Sequence, residues 1–265
     1  MDKNPSGRRL REKGFLLKGN LMMKLVDVHC HLLPRVDDGP NTVEEAGKML
    51  AAMYEEGVRI VIATPHYRPH IFEAPMERIE KYYRILKKAA EAKGMRLYLG
   101  CEFYRHTELL ESIKEGNRPL MAGADYVLVE FAPDDNFLTI RNYVYELVTN
   151  GYNPIIAHVE RYEYCRLPEL VQELRELGAY IQVNAGAVLG RDGRKRKKFV
   201  KHLMDKDLVD FIASDAHDRK KRKPNLGKCS AYLERKYGRE YVHRILVRNP
   251  LNIIKAGDSY EKGKD

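Results

Sequence analysis

The feature that most constrains the fold is an apolar, strand-like run that recurs seven times, each time followed by a polar stretch with helical periodicity. The runs are rich in β-branched residues and do not alternate between apolar and polar positions. This pattern is typical of parallel strands buried on both faces. The runs occupy residues 24–29, 59–66, 96–103, 125–131, 153–160, 180–186 and 209–217. Repeated strand–helix alternation predicts an α/β fold built on a parallel sheet.

The segments between the runs carry helix signals of their own. Thr42 and Glu45 have the spacing of a capping box, and the helical stretch that follows them ends at Gly57. No linker rich in Pro, Gly or Ser interrupts the series, so we expect one domain over residues 24–256, most naturally a (β/α) barrel. An open doubly wound sheet is the alternative, although no G-x-G-x-x-G follows the first strand and no Walker sequence occurs.

The two ends of the chain differ from the rest in composition. Residues 1–23 are basic and polar and lack the apolar core of a secretory signal, so we expect a disordered extension there. Residues 257–265, GDSYEKGKD, predict a frayed tail. No apolar run reaches the roughly 18 residues of a membrane span, so no membrane insertion is expected. The four cysteines form no C-x-x-C, which fits a reducing cytoplasm rather than a disulfide framework.

The net charge of +9 is concentrated in two runs, RDGRKRKK at 191–198 and DRKKRK at 218–223. This excess permits an anionic partner such as nucleic acid, an acidic polymer or phosphate, while solvated loops are the simpler interpretation. Charged residues make up 32% of the chain, Trp is absent, and Gln occurs only at positions 172 and 182. This balance is typical of thermophilic proteins, in which ion-pair networks are favoured and labile amides are few.

Side chains that can bind metals stand at the C-terminal ends of six of the seven predicted strands. In a parallel barrel these ends open on one face, where active sites are built. Taken singly, each residue could be a hydrogen-bonded core residue, an ion-paired rim residue or a helix cap. Gathered in one mouth, they would be costly to bury without a cation. The residues are His29, His31, His66, Glu102, Glu130, His158, Asp215 and His217.

Imidazoles and carboxylates without cysteine suit borderline divalent metals and disfavour a structural zinc site. Because the set is too large for one ion, we predict two or three divalent ions, with Mn expected and Fe, Zn, Co or Mg as alternatives. The composition of the mouth therefore predicts a metal centre that holds more than one ion.

Several motifs carry a resemblance to a known family: DVHCHLLPRVDDGP, IATPHY, GCEFY, VLVEF, IIAHVERY and IASDAH. Together they resemble the PHP (polymerase and histidinol phosphatase) superfamily. The segments HCHLLPRVDDGP and AHVERY are most similar to the bacterial CpsB/CapC group of metal-dependent protein-tyrosine phosphatases. The resemblance extends from about residue 24 to NPLNII at 249–254 and implies a single distorted TIM-like (β/α)7 barrel of the PHP type.

The resemblance also implies which residues bind the metals. The implied ligands are His29, His31, Glu102 and Asp215 for one ion, Glu102, Glu130 and His158 for a second, and Asp37, His66 and His217 for a third. Asp37 stands where many PHP enzymes have histidine, a substitution typical of this branch. Asp38 is expected to be a turn residue before Gly39, and Cys30 is expected to face away from the site and to be inert.

Other residues are expected to contact the substrate. Arg161 lies three residues after His158, and Arg222 lies where the family has a phosphate-contacting arginine. Both fit the need to stabilise charge in a phosphoryl-transfer transition state. Arg35 replaces the small residue usual in this branch and would contact phosphate or narrow the mouth. Aromatic residues near the mouth would flank a phenyl ring, with ordinary packing as the alternative: Tyr67, Phe103, Tyr104, Phe131 and Tyr162.

The activity implied by the resemblance is hydrolysis of phosphotyrosine in a protein substrate. The nucleophile would be a hydroxide formed from a metal-bridging water, whose pKa the ions lower toward neutrality. The implied substrate is a bacterial tyrosine autokinase of capsular or exopolysaccharide synthesis. Cys229 and Arg235 match the C-x5-R spacing of cysteine-based phosphatases, but no glycine lies between them, so we interpret the match as chance. Another phosphomonoesterase, such as a histidinol-phosphate phosphatase, is the first alternative. A nucleic-acid-processing enzyme is disfavoured because the chain has no polymerase segment or helix–hairpin–helix repeat. An interaction module without metals is disfavoured because no ligand position is lost. The sequence makes no prediction of oligomeric state.

Overall fold

The computed structural model describes residues 23–262, in which nine short strands are all paired in parallel. Their order is β1-β2-β4 in one sheet and β3-β5-β6-β7-β8-β9 in the other. The strands are β1 Leu25–Cys30, β2 Val58–Ala63, β3 His66–Tyr67, β4 Arg96–Leu99, β5 Glu102–Tyr104, β6 Tyr126–Glu130, β7 Asn153–Ile156, β8 Tyr180–Asn184 and β9 Phe211–Ala213. The predicted α/β class with parallel strands is confirmed.

Two of the seven predicted strands are each broken into two pieces. Pro65 has no N–H to donate to a sheet ladder, and β2 ends just before it while β3 begins just after it. Gly100 lies between β4 and β5, where an added Cβ would lie 3.0 Å from Met121 Sδ and 3.1 Å from Ile62 Cγ2. The backbone continues across both breaks, since Gly100 N–H donates to Ala63 O at 2.8 Å. Backbone hydrogen bonds therefore continue from the sheet with β2 and β4 to the sheet with β3 and β5.

Hydrogen bonds also join the first strand to the segment after the last strand. His31 N–H donates to Ala216 O at 2.9 Å, and Asp215 N–H donates to His29 O at 2.9 Å. The buried carboxylate of Asp27 on β1 accepts from Ser214 N–H at 3.0 Å. The ends of the strand series consequently meet, and the C-terminal ends of β1 and β9 lie side by side.

Helices cover the outside of the strands and bury their apolar faces against them. They are α1 Val43–Glu55, α2 Met76–Glu91, α3 Leu109–Lys114, α4 Phe137–Thr149, α5 Pro168–Glu176, α6 Ala185–Leu189, α7 Arg194–Asp205, α8 Leu226–Tyr237, α9 Arg239–His243 and α10 Asn249–Lys262, with a π-helical turn at Arg244–Arg248. The capping signal at α1 is confirmed, because Thr42 Oγ1 accepts from Glu45 N–H at 3.1 Å and Glu45 Oε2 accepts from Asn41 N–H at 2.8 Å.

The prediction of a frayed tail from residue 257 is wrong for residues 257–262, which continue helix α10. The reason is a close contact that the sequence does not reveal. A Cβ at Gly257 would lie only 2.0 Å from the carbonyl oxygen of Ala122, so glycine lets the helix pack directly on that turn. The predicted extension at residues 1–22 and the last three residues lie outside the described residues. No helix among residues 23–262 is long and apolar enough to cross a membrane.

Candidate metal centre

The structure brings the ligand-type side chains predicted at the strand ends into one cluster. They come together because the C-terminal ends of parallel strands lie on the same side of the sheet, and adjacent strands are a fixed distance apart. His29 lies on β1, while His31, His158, Asp215 and His217 follow strands in short loops. All five of these residues, together with Glu102, are no more than 3% exposed, and His66 and Glu130 are half-buried.

Four overlapping groups within this cluster have ligand atoms within 4.8 Å of one another. Their members are His29, His31 and Asp215; His29, Glu102 and His158; His66, Glu102 and Glu130; and His31, Asp38, His66 and His217. Because the groups share residues, they form one continuous centre rather than separate sites. This arrangement suits several ions held close together.

Glu102 lies at the middle of the centre. Its Oε2 is 3.2 Å from His29 Nε2, 3.2 Å from His31 Nε2 and 3.0 Å from His66 Nδ1. Its Oε1 is 2.9 Å from His158 Nε2. A single buried carboxylate that faces four imidazoles has the position expected of a ligand shared by two ions.

The donor atoms of this centre fit a bound cation better than they fit one another. His31 Nδ1 lies 2.8 Å from a carboxylate oxygen of Asp37, so Nδ1 carries a ring proton. Its Nε2 lies 3.2 Å from Glu102 Oε2, and that oxygen has no hydrogen-bond partner among residues 23–262. A cation between this oxygen and the imidazole nitrogens around it would satisfy all of them together. The cluster has the character of a metal site.

The positions of Asp37 and Asp38 differ from the prediction that Asp37 faces the metals and Asp38 only forms a turn. Asp37 is buried, and both of its oxygens accept hydrogen bonds, from His31 Nδ1–H, from His66 N–H at 3.0 Å and from Gly39 N–H at 3.0 Å. Asp38 points into the centre, with Oδ1 at 3.1 Å from His217 Nε2 and 3.6 Å from His66 Nε2. The structure therefore places Asp38, whose side chain is 45% exposed, in a group of possible metal ligands, and Asp37 against Nδ1 of His31. The turn at Gly39 contributes to this arrangement, because the Gly39 N–H donates a hydrogen bond to Asp37 Oδ1.

Burial and neighbouring charges prepare some of these groups as ligands. Burial, followed by the positive charge of Arg161, lowers the pKa of His158 to about 3, and burial, followed by His31, lowers that of His217 to about 4. Burial alone would raise the pKa of Glu102, but the histidines around it, led by His29, hold it well below its usual value. Burial, followed by the charge of Glu102, raises the pKa of Glu130 to about 7. Neutral imidazoles and ionised carboxylates are the forms that bind metals, so these shifts favour binding at His158, His217 and Glu102, whereas Glu130 has to lose its proton. Burial would lower the pKa of His29 and of His31, but the nearby carboxylates outweigh it and raise both.

Two arginines border the centre at its open side. Arg161 Nη2 is 2.5 Å from Asp215 Oδ2, and Arg222 Nη2 is 2.8 Å from Asp215 Oδ1. A second nitrogen of Arg222 lies 3.3 Å from Asp38 Oδ2. A cavity of about 60 Å³ is lined by both arginines, by Arg191 and by the lysines at 221 and 223, and also by Asp192 and Asp215. Basic side chains therefore outnumber acidic ones at the open side of the centre.

The backbone is strained at two of the ligand positions. His158 has φ of 33° and Asp215 has φ of 50°, both in the left-handed region that non-glycine residues rarely adopt. Such conformations cost about 1 kcal/mol or more each and are found where the surroundings fix a functional side chain. Here they turn His158 and Asp215 inward from the ends of β7 and β9.

The predicted substrate contacts are mostly occupied by other interactions. Tyr162 is only 1% exposed, and its hydroxyl donates to Ala157 O at 2.8 Å while it accepts from Phe131 N–H at 3.1 Å. Its prediction as a substrate residue is therefore replaced by a structural role. Arg35 donates through Nε to Asn41 O at 2.9 Å and stabilises its own loop.

Two predicted aromatic residues remain at the surface near the mouth. Tyr67 and Tyr104 are half-buried, and each ring is covered by an arginine: Arg118 at 4.5 Å from the Tyr67 centroid and Arg68 at 4.0 Å from the Tyr104 centroid. Phe103 and Phe131 are fully buried in the core. Of the five aromatic residues, only the two tyrosines are exposed enough to meet a substrate.

Sequence reasoning missed three polar residues behind the ligands. Gln182 and Asn184 lie on β8, which corresponds to the one of the seven predicted strands without a predicted ligand, and Glu160 lies two residues after His158. All three are less than 5% exposed, and each hydrogen-bonds to the centre or to one of the others. A buried amide on a strand has no sequence pattern that separates it from ordinary core polarity, so no signal was available for the first two.

The cysteine-based alternative is excluded by position. Cys229 is completely buried in the interior of α8, and burial raises its pKa above the usual value for a thiol. A nucleophilic cysteine needs an exposed thiolate at a phosphate-binding loop. Cys30, the last residue of β1 and the neighbour of His29 and His31 in the chain, is likewise fully buried, and burial raises its pKa, as predicted for an inert residue.

The fold and the cluster together define a parallel α/β protein with several groups of His and carboxylate side chains that could hold metal ions. A profile of the family described as "Capsular polysaccharide synthesis, CpsB/CapC" matches residues 25–255. Tyrosine-protein phosphatase CpsB of Streptococcus agalactiae is 31% identical over 239 residues, which cover 87% of this chain and 98% of that protein. The chain therefore belongs to the CpsB/CapC family, and the resemblance seen in the sequence is confirmed.

Solved structures agree with this assignment. Crystal structures described as YwqE from Bacillus subtilis and CpsB from Streptococcus pneumoniae, "unique metal-dependent tyrosine phosphatases", match with a TM-score of 0.79 and 30% identity, covering 88% of this chain and 95% of the other. A phosphotriesterase homology protein from Escherichia coli, with phosphate in its active site, matches with a TM-score of 0.57 at 14% identity. The second likeness concerns the fold alone.

Proposed function

We propose that this protein is a metal-dependent phosphatase that hydrolyses phosphotyrosine in a protein substrate. The observation that carries the proposal is the convergence of His29, His31, His66 and His158 on Glu102, next to two arginines at the open side. The imidazole and carboxylate side chains would bind the metal ions. The two guanidinium groups would bind the phosphoryl group of the substrate, a tetrahedral dianion. The relatives named tyrosine-protein phosphatases support the substrate class.

We assign the predicted ligands to three ions, with one change. The assigned ligands are His29, His31, Glu102 and Asp215 for the first ion, Glu102, Glu130 and His158 for the second, and Asp38, His66 and His217 for the third. Asp38 replaces Asp37 because Asp38 Oδ1 lies 3.1 Å from His217 Nε2 and 3.6 Å from His66 Nε2, whereas the Asp37 carboxylate contacts Nδ1 of His31, the ring nitrogen that does not face Glu102. When bound, such ions activate a water as the nucleophile and neutralise the phosphoryl oxygens. Manganese is the ion that we propose.

The side chains of the chain itself bind and orient the phosphoryl group. Arg161 and Arg222 present planar forks that can each donate two hydrogen bonds to phosphoryl oxygens. Asp215 holds both guanidinium groups at the rim, so their positions are set before the substrate arrives. The tyrosine leaving group has an ordinary pKa of about 10, so its departure as phenolate needs little help from an acid. Tyr67 and Tyr104 remain the candidates for contact with the phenyl ring.

The finer features of architecture and setting are proposed on the same basis. We propose a single distorted (β/α)7 barrel, in which β2 with β3 and β4 with β5 each form one strand position, and in which the domain of residues 24–256 also includes the rest of α10. We propose a cytoplasmic location and a bacterial tyrosine autokinase of polysaccharide synthesis as the substrate. A thermophilic source remains a prediction, and a melting midpoint in the ordinary mesophile range would contradict it.

The test of the proposed function compares three substrates side by side with added Mn²⁺. We expect a phosphotyrosine peptide to be hydrolysed with a higher kcat/KM than histidinol phosphate, and single-stranded DNA to remain intact. Histidinol phosphate as the preferred substrate would favour another phosphomonoesterase activity of the superfamily, and cleavage of DNA would favour nucleic-acid processing. Either preference would overturn the proposed substrate. His29→Ala should abolish turnover while the far-UV circular dichroism spectrum stays unchanged.

A further inference from the structure

Strand β8 contributes two buried amides to the centre where the other strands contribute ligands. Gln182 and Asn184 point to the same side of the strand because they are two residues apart. They are 0% and 3% exposed. Neither is a predicted ligand, and yet each contacts a ligand directly.

The orientation of the Gln182 amide follows from a backbone donor. His158 N–H can only donate, and it lies 2.7 Å from Gln182 Oε1, so the oxygen of the amide must face His158. The same oxygen lies 3.2 Å from His29 Nδ1. An amide oxygen only accepts, so Nδ1 of His29 must carry a proton. The Nε2 atom of His29, 3.2 Å from Glu102, is thereby left to bind a metal.

The other half of the amide continues the chain of hydrogen bonds. Gln182 Nε2–H donates to Asn184 Oδ1 at 2.9 Å, which leaves the Asn184 NH₂ group to donate to Asp215 Oδ2 at 2.8 Å. The backbone of Asn184 is held in turn, because its N–H donates to Glu160 Oε1 at 3.0 Å. Every donor and acceptor in this series is consistent with its neighbours, so the directions of the hydrogen bonds are fixed.

We propose that Gln182 and Asn184 are positioning residues that set the Nδ1–H tautomer of His29 and the orientation of the Asp215 carboxylate for metal binding. This inference rests on the proposed metal assignment. Hydrogen bonds behind metal ligands commonly account for about 10- to 100-fold in metal affinity. The series reaches two ligands from one strand, so a single substitution at Gln182 disturbs both.

The test uses three variants of the full chain. Gln182→Leu removes both the acceptor and the donor, while Gln182→Glu keeps an acceptor for His29 and loses the donor to Asn184. The matched control is Gln172→Leu, because Gln172 is the only other glutamine and bonds to Glu176 on the surface of α5. We expect Gln182→Leu to weaken Mn²⁺ binding, measured by calorimetric titration of chelator-treated protein, by about 10- to 100-fold. Gln182→Glu should recover most of the loss, and Gln172→Leu should bind as the parent protein does.

A second readout concerns the imidazole directly and needs no variant to fold. In the Zn²⁺-loaded parent protein, nitrogen-15 NMR should show His29 with a protected Nδ1–H and a metal-bound Nε2. Coordination through Nδ1, or unchanged Mn²⁺ affinity in folded Gln182→Leu, would overturn the inference. Phosphotyrosine turnover is measured separately at saturating Mn²⁺. A protein without that activity whose metal affinity still depends on Gln182 would refute the proposed function and leave this inference standing.

Discussion

The substitution Glu160→Gln isolates the effect of one buried carboxyl group beside the metal centre. Glu160 is 4% exposed, its Oε1 accepts from Asn184 N–H, and its Oε2 has no partner among residues 23–262. Burial raises the pKa of this carboxyl to about 7. A glutamine keeps the shape and the accepted hydrogen bond but cannot ionise, so the two proteins differ mainly in that charge.

The sign and size of the effect follow from the two protonation equilibria. Below pH 4.5, the ordinary pKa of the group, the carboxyl is protonated in both the folded and the unfolded chain. Between pH 4.5 and about 7 only the unfolded chain ionises it, so the free energy of unfolding of the parent protein falls as pH rises. At about 1.4 kcal/mol per pH unit, the difference between the two pKa values lowers the free energy of unfolding of the parent protein by roughly 3 kcal/mol. Above pH 7 the difference is constant.

The assay is urea unfolding of both proteins, in chelator, from pH 5 to pH 8. The stability of Glu160→Gln relative to the parent should increase by roughly 3 kcal/mol across this range and level off above pH 7. The control is Glu163→Gln, because Glu163 is exposed and pairs with Arg166 at the surface, and its difference should stay within about 1 kcal/mol. A Glu160→Gln difference that does not vary with pH would refute the assignment of a buried, high-pKa carboxyl.

Three further predictions concern the centre and its rim. Asp38→Asn should remove one Mn²⁺ per chain in metal analysis. Asp37→Asn should keep the number of bound ions and weaken Mn²⁺ affinity by about 10- to 100-fold. The reverse pattern would favour Asp37 as the ligand, as the sequence predicted. Arg161→Lys should lower kcat for a phosphotyrosine peptide by about 10²-fold, because lysine cannot donate the paired hydrogen bonds, and parent-like kcat would contradict its role. Cys229→Ser should retain full activity, since the thiol is buried inside a helix, and an inactive but folded variant would reopen the cysteine mechanism.

The basic run at 191–198 gives a prediction about substrate choice. Within the part of the chain that the structure describes, its residues 194–198 lie at the start of α7 and form no ion pair with a carboxylate. Reversing the charge of Arg194 and Lys195 should raise KM for a phosphotyrosine peptide with acidic flanks and leave KM for p-nitrophenyl phosphate unchanged. Equal effects on both substrates would instead indicate a change in the centre itself.

The sequence predicted the parallel α/β fold because strand and helix periods differ and repeat without interruption. It predicted that ligands gather because parallel strands open at one end, and His29, Glu102 and Asp215 follow from that rule. It could not separate Asp37 from Asp38, because the choice depends on which carboxylate the turn at Gly39 engages.

Other features depend on contacts between distant segments. Tyr162 can be buried because its hydroxyl forms hydrogen bonds with backbone groups that follow two neighbouring strands. No local sequence pattern predicts these hydrogen bonds. Gln182 acts through a hydrogen bond to a residue 153 positions away in the chain. The extent of α10 depends on how closely Gly257 approaches a turn elsewhere in the fold.

The most direct test of metal-dependent phosphotyrosine hydrolysis is a titration of chelator-treated protein with Mn²⁺ while turnover of a phosphotyrosine peptide is recorded. The account predicts no turnover without metal and full turnover once two or three ions are bound per chain, the number proposed from the overlapping ligand groups. Turnover that persists in the metal-free protein, or that reaches its maximum with a single ion per chain, would contradict it.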